Sequence, residues 1–130
     1  MQDAPVVADL TFDHGIPGFA AARRFSLLPW GAEGGPFSML KSLDDATEFL
    51  VVAPEAFFPD YHPEIDEEVA TWLGISAPDE GIVLVIVTVP EKAKNATANL
   101  LGPLIVNRLT RRSVQAVLHD DYSTREPLFR

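Results

Sequence analysis

The sequence contains no cysteine, which excludes disulfide bonds and thiolate metal sites. It also lacks a long hydrophobic run. The longest, residues 82–89, is interrupted by Thr88 and is much shorter than the ~20 apolar residues that a membrane helix needs. The amino-terminal residues show neither the cationic start nor the apolar stretch of a secretory signal. These absences predict a cytoplasmic protein that does not associate with a membrane.

Basic residues are missing from a long internal stretch. Between Lys41 and Lys92 there is no Lys or Arg but there are twelve acids, and the whole chain has a formal net charge of −9. From Lys92 to His119 there are five basic residues and no acid. An acidic field repels phosphate backbones and attracts basic proteins. We therefore expect no direct nucleic-acid binding. Whether the acids bind a basic partner or only keep the protein soluble stays open.

Short β-rich segments separated by Pro and Gly dominate the remaining pattern. They predict strands at residues 6–12, 24–30, 37–42, 49–53, 82–89, 104–108 and 113–118. The segment 82–87 is apolar at every position, which is typical of a strand covered on both faces near the centre of a sheet. The length of 130 residues suits a single domain. The predicted fold is mainly β, a barrel or a sandwich with one short helical insertion.

The helical insertion is predicted to run from about Pro63 to Leu73. Proline suits the first helical position, because its missing N–H would be unpaired there in any case. Gly74 supplies the left-handed residue that ends many helices. The apolar stripe on one face consists of Ile65, Val69, Trp72 and Leu73. We expect Trp72 to dock on the β core.

The candidate catalytic or metal-binding residues are the three histidines, His14, His62 and His119. None stands in a metal-ligand spacing such as His-Glu-x-x-His, and no nucleophile elbow is present. We therefore predict surface or capping histidines, no metal site and no cofactor. A small hydrolase that uses Asp60, His62 or His119 is the alternative from another class of function.

The cluster of Phe57, Phe58, Pro59, Asp60 and Tyr61 invites a different interpretation. Two adjacent Phe side chains cannot both point inward from a regular strand, so one could face a surface groove. Exposed aromatic residues beside acids are good anchors for a protein partner. The other possibility is that a turn lets both rings enter the core.

Several motifs resemble the FliW family of flagellar assembly factors, and the resemblance runs from Leu10 to Leu128. The matching segments are GIPGF at 15–19, FSLLP at 25–29, PFSML at 36–40, FFPDY at 57–61, LGI at 73–75, TANLLGP at 97–103, QAVL at 115–118 and YSTREPL at 122–128. Each motif is weak alone, whereas their order and spacing over the chain are specific.

The resemblance implies a β-barrel-like single domain that is not an enzyme and that binds two proteins. One is CsrA, a basic RNA-binding repressor of translation, and the other is flagellin. Accumulated flagellin takes up the FliW protein, and the freed CsrA then represses flagellin translation. Export of flagellin returns the FliW protein to CsrA, which relieves the repression. The alternative within this network is a flagellin-binding chaperone that does not antagonise CsrA.

From the aromatic cluster and the acids that follow it, we predict one partner-binding surface. It consists of Phe57, Phe58, Asp60, Tyr61, Glu64, Asp66, Glu67 and Glu68. The chain departs from the family pattern at its start, because members usually have a further strand before the one that ends at Phe12. We therefore expect that edge of the sheet to be short or absent.

Overall fold

The computed structural model describes residues 8–19, 21–31 and 35–129. The strands in these residues are β1 Ala8–Thr11, β2 Arg24–Pro29, β3 Phe37–Ser42, β4 Glu48–Val52, β5 Gly81–Thr88, β6 Thr97–Ala98, β7 Leu104–Asn107, β8 Ser113–Gln115 and β9 Glu126–Pro127. One α-helix, α1, spans Glu67–Leu73. Short 3₁₀ turns occupy Pro54–Ala56, Pro78–Glu80 and Ala93–Asn95. The mainly β class with one short helix is thereby confirmed.

The central strand of the antiparallel sheet is β5. Strands β1 to β4 follow one another in order, and β4 pairs with the second half of β5. The first half of β5, from Gly81 to Leu84, pairs with β7, and the end of β5 pairs with β6. Leu84, Val85 and Val87 are buried. The continuous apolar run therefore marks a central strand, as its composition predicts.

The two ends of this curved sheet meet at one point. The backbone N–H of Thr11 donates to the carbonyl oxygen of Arg111 over 3.0 Å, and Thr11 forms a parallel bridge with Arg112, just before β8. No continuous ladder of the described strands joins β1 to β8. The sheet is therefore barrel-like and open.

The buried side chains of the described residues form two larger groups and a smaller third group, which contains Leu73, Ile105 and Ala116. The first group contains Leu10, Phe12, Phe25, Leu40, Val51, Leu84 and Leu104. The second group contains Val52, Tyr61, Val85, Val87, Ala98, Leu100, Leu118 and Leu128. The rings of Phe12 and Phe25 pack edge to face with their centroids 5.4 Å apart, a favoured aromatic geometry.

Helix α1 is shorter than predicted, because it begins at Glu67 and not at Pro63. Ile65 packs against the sheet and keeps the preceding segment out of the helix. Asp66 stands at the N-cap without a side-chain capping bond, since its carboxylate lies 3.1 Å from His119 Nε2. The predicted end is confirmed: Gly74 is left-handed at φ 77°, and its N–H bonds back into the helix.

The expected docking of Trp72 is correct only in part. Leu73 is the residue of α1 that is fully buried, and it packs on Ile105. Trp72 is half-buried beside this cluster. Its ring contacts His14 at a centroid distance of 4.8 Å and the Arg112 guanidinium at 4.3 Å. The indole therefore bridges the helix to the seam between β1 and β8.

The other strand predictions differ from the structure mainly at strand ends. The strand predicted at residues 113–118 ends at Gln115, because the facing Pro103 has no N–H to donate to a ladder. The N–H of Ala116 still donates to Pro103 oxygen over 2.9 Å. Residues 6 and 7 of the first predicted strand lie outside the described residues. The expectation of a short or absent strand before it also concerns residues that are not described. No helix in the described part of the chain could cross a membrane.

Candidate protein-binding surface

The segment from Phe57 to Tyr61 is a succession of tight turns after β4. The N–H groups of Phe57 and Phe58 both donate to Pro54 oxygen, and Tyr61 N–H donates to Phe58 oxygen over 2.9 Å. Because this is not a strand, adjacent side chains need not alternate. Both Phe rings are half-buried and pack on the second core group, and both also line a surface hollow. The sequence offered two interpretations, a ring that faces a surface groove and a turn that lets both rings enter the core, and the structure combines them.

This first depression, which we call the aromatic hollow, has a volume of about 410 Å³. It is lined by Phe57, Phe58, Pro59, Asp60, Tyr61, Leu100, Tyr122 and Glu126. Phe57 also packs against Phe37 and Phe129 at centroid distances of 5.6 and 5.8 Å. The hollow therefore brings four of the predicted contact residues together.

Tyr61 is the wall between this hollow and a second one. Its side chain is only 9% exposed, and its hydroxyl donates to Leu100 oxygen over 2.6 Å. Its ring meets Tyr122 edge to face at 4.9 Å. Burial, together with Tyr122 nearby, raises the pKa of Tyr61 well above its ordinary value. Tyr61 therefore acts mainly as a fixed structural element of the surface.

The second depression, which we call the helix groove, lies between α1 and the sheet and also has a volume of about 410 Å³. Its lining is largely apolar and consists of Tyr61, His62, Pro63, Ile65, Ala70, Ile75, Pro78, Gly81, Val83 and Ile105. Val83 and Ile105 are directly paired across β5 and β7. The floor of the groove is therefore a cross-strand aliphatic pair.

The predicted acids stand around these two depressions. Asp60, Glu64, Asp66, Glu67 and Glu68 are all exposed. The Asp66 carboxylate lies 3.1 Å from His119 Nε2, and the two side chains are 51% and 81% exposed, respectively. A contact this exposed contributes little to stability, even where the two groups carry opposite charges. The five carboxylates thus make a solvated acidic edge that a basic partner could approach.

The residues of the hydrolase alternative do not share one depression. Asp60 lines the aromatic hollow and His62 lines the helix groove. His119 lines neither, and its ring nitrogen faces Asp66. Across residues 8–19, 21–31 and 35–129, no group of three or more His, Cys, Asp or Glu side chains could hold a metal ion.

The helix groove is the part of this surface that sequence reasoning missed. Its walls come from residues 61–65 and from α1, whereas its floor comes from β5 and β7. Local sequence patterns do not reveal which strands pair. One local signal is the apolar Ile75 directly after the Gly74 cap.

Comparisons with known proteins agree with this architecture. A family model described as "FliW protein" matches residues 2–128. The chain is 40% identical over 121 residues to flagellar assembly factor FliW of Bacillus subtilis (strain 168), covering 92% of this chain and 84% of that protein. It is 39% identical over 119 residues to the protein of that name from Caldanaerobacter subterraneus subsp. tengcongensis, with coverages of 90% and 79%. A crystal structure of the flagellar assembly factor FliW matches with a TM-score of 0.86 at 31% identity, covering 94% of this chain and 86% of that one.

Proposed function

Since the chain belongs to the FliW family, we propose that it is a flagellar assembly factor that binds the translational repressor CsrA and flagellin in turn. Bound to CsrA, it prevents repression of flagellin mRNA. Accumulated flagellin takes it away from CsrA, and translation of flagellin then falls. Export of flagellin reverses the exchange. The protein acts in the cytoplasm, where mRNA and newly made flagellin are both present.

The observation that carries this proposal is the acidic edge beside the two hollows. Asp60 and Glu64 follow the aromatic cluster, and Asp66 to Glu68 open α1, with all five carboxylates exposed. CsrA is basic because it binds RNA, so the charges of the two proteins are complementary. Such complementarity speeds association and orients the encounter.

The same acids explain how binding to CsrA disfavours RNA. A fixed negative surface docked beside an RNA-binding face raises the free energy of bringing phosphates close. The screening length at physiological ionic strength is about 8 Å, so the field extends to a neighbouring site on the partner. Antagonism therefore does not require the protein to occupy the RNA site itself.

The proposed function involves no catalysed reaction. The sequence has no catalytic motif, and Asp60, His62 and His119 are exposed and do not share one hollow. Binding surfaces of this kind need shape and charge, not groups with tuned reactivity.

A flagellin-binding chaperone without CsrA antagonism is the alternative.

Titration calorimetry with purified CsrA and with purified flagellin tests the proposal directly. We expect saturable binding of each, and displacement of CsrA when flagellin is added to the preformed complex. A gel shift with the leader of flagellin mRNA should show that the protein releases CsrA from RNA. Binding of flagellin alone would support the chaperone alternative, and binding of neither protein would reject both.

A further inference from the structure

The helix groove exposes aliphatic surface that the fold does not use. Ile65, Ala70, Ile75 and Val83 are each only half-buried, and all four side chains line the same depression. The floor residue Ile105 is buried beneath them. Apolar residues gathered in a rimmed depression are typical of a contact site for another protein. The groove therefore has the shape and surface to receive an apolar side chain.

Charges surround this apolar depression. On the α1 side, Glu64 and Asp66 alternate with the groove-lining Pro63 and Ile65, and Glu67 and Glu68 follow in the first turn of the helix. Asp66 is the one of these acids paired with His119. His62, which lines the groove, is exposed. This wall is predominantly acidic.

The opposite wall is more balanced. Pro78 lines the groove and is followed by Asp79 and Glu80. The Glu80 carboxylate accepts hydrogen bonds from the N–H groups of Ser76 and Ala77, at 2.6 and 3.1 Å. Arg108 Nε donates to the backbone carbonyl oxygen of Asp79 over 3.0 Å. Even with this arginine, acids outnumber cations around the groove.

We propose that the helix groove receives an aliphatic side chain, such as Leu, Ile or Met, from a positively charged amphipathic segment of CsrA. Lysine or arginine residues on either side of that side chain lie over the acidic wall. This inference rests on the proposed function and adds the place and chemistry of contact. The acids then accelerate association with the positively charged segment. Burial of the aliphatic side chain in the groove slows dissociation, and the dissociation rate accounts for most affinity differences within one interface.

A matched pair of helix variants tests the groove without changing charge. Ala70→Phe places a ring in the groove, whereas Thr71→Phe places the same ring on an exposed position of α1 that does not line it. Surface plasmon resonance with immobilised CsrA should show roughly a tenfold or larger loss of affinity for Ala70→Phe, mainly through faster dissociation. Thr71→Phe should stay within about twofold of wild type.

Circular dichroism and thermal unfolding of both variants establish that they fold. Amide hydrogen exchange of the wild-type chain supplies a readout without any substitution. CsrA should protect the backbone amides of residues 64–65, 70–75 and 81–83. Folded Ala70→Phe that binds CsrA like wild type would overturn the inference, as would protection confined to other segments, and either result would leave the proposed function intact. Wild-type protein that binds neither CsrA nor flagellin would overturn the proposed function and the groove inference together.

Discussion

The side-chain amide of Asn107 donates a hydrogen bond of 2.7 Å to the backbone carbonyl of Leu73, the last residue of α1. The other end of the same side chain accepts hydrogen bonds from the N–H groups of Leu109 and Thr110, at 2.8 and 3.0 Å. Asn107 is buried at 5% exposure. One side chain therefore joins the helix to the turn between β7 and β8. Because α1 is a wall of the helix groove and β7 carries part of the groove's floor, Asn107 also holds that wall to the floor.

Asn107→Ala should lower the free energy of unfolding by about 2 kcal/mol, because it leaves a buried carbonyl and two turn N–H groups without these partners. The turn also contains Arg111 at φ 67°, a conformation unfavourable for a side chain, which the lost bonds help to maintain. Urea denaturation measures the change. The control is Asn95→Ala at an exposed site, expected within about 0.5 kcal/mol of wild type. Equal effects at both positions would contradict the bridging role of Asn107.

We expect Tyr61 to make the stability of the protein decrease in alkali. Its pKa is raised in the folded state above the ordinary value of 10, mainly by burial, so the folded chain keeps the proton when the unfolded chain loses it. The stability from this group is fully present below pH 10 and is lost progressively as the pH rises above that value.

Tyr61→Phe should therefore flatten the alkaline loss of stability. At neutral pH it should cost about 1 kcal/mol, since the hydrogen bond to Leu100 oxygen disappears. Urea unfolding at several pH values above and below 10 measures both effects. Tyr122→Phe keeps Tyr61 and should retain the alkaline loss. A Tyr61→Phe profile parallel to wild type would show that Tyr61 is not the responsible group.

We expect Asp44 to contribute to the loss of stability in acid. Hydrogen bonds from the backbone N–H groups of Arg23 and Arg24, and then from the Arg24 side chain, lower the pKa of Asp44 to about 2. The folded pKa lies below the ordinary value of 3.8, so this stability is present above pH 4 and is lost as the pH falls toward 2.

Asp44→Asn should be less stable than wild type at neutral pH and should lose less stability between pH 4 and 2. Thermal unfolding across that interval is the measurement. Glu91→Gln, at an exposed acid, provides the comparison. If wild type and Asp44→Asn lose stability in parallel over this interval, other carboxylates must dominate acid unfolding.

Features of the fold that depend on neighbouring residues were predictable, whereas those that depend on contacts between distant segments were not. The central position of β5 and the Gly74 cap follow from residues adjacent in the chain, and both are confirmed. The strands β6 and β9 have two residues each, too few to form a periodic pattern, and sequence reasoning missed them. The prediction that the helix begins at Pro63 is wrong because Ile65 packs on the sheet. This tertiary contact overrides the preference of Pro63 for a first helical turn.

The candidate surface shows the same division. The aromatic cluster and the acids are contiguous in the sequence, so their grouping was predictable. The helix groove was not, because its floor depends on the register that places Val83 opposite Ile105. The burial of Tyr61 was not predictable either, since its hydroxyl reaches Leu100, far away in the chain. Contacts between distant segments decide which predicted residues are walls and which are accessible to a partner.

Reversal of the acidic edge tests whether its position, and not only its net charge, matters for CsrA. The double variant Glu67→Lys and Glu68→Lys changes the exposed first turn of α1. The control, Glu55→Lys with Glu91→Lys, alters the net charge by the same amount at exposed acids that line neither the aromatic hollow nor the helix groove. We expect the α1 variant to slow association with CsrA by roughly tenfold at low salt and the control by about twofold.

Salt concentration separates this electrostatic effect from an effect of the substitutions on packing at α1. The difference between the two double variants should shrink as NaCl rises to about 0.5 M, since screening shortens the reach of exposed charges. In the gel shift, the α1 variant should also release less RNA from CsrA than the control does. Equal slowing in both variants would mean that net charge alone governs the encounter. A loss that persists at high salt would mean that α1 contributes through packing, because a contact that screening does not weaken is not held by exposed charges.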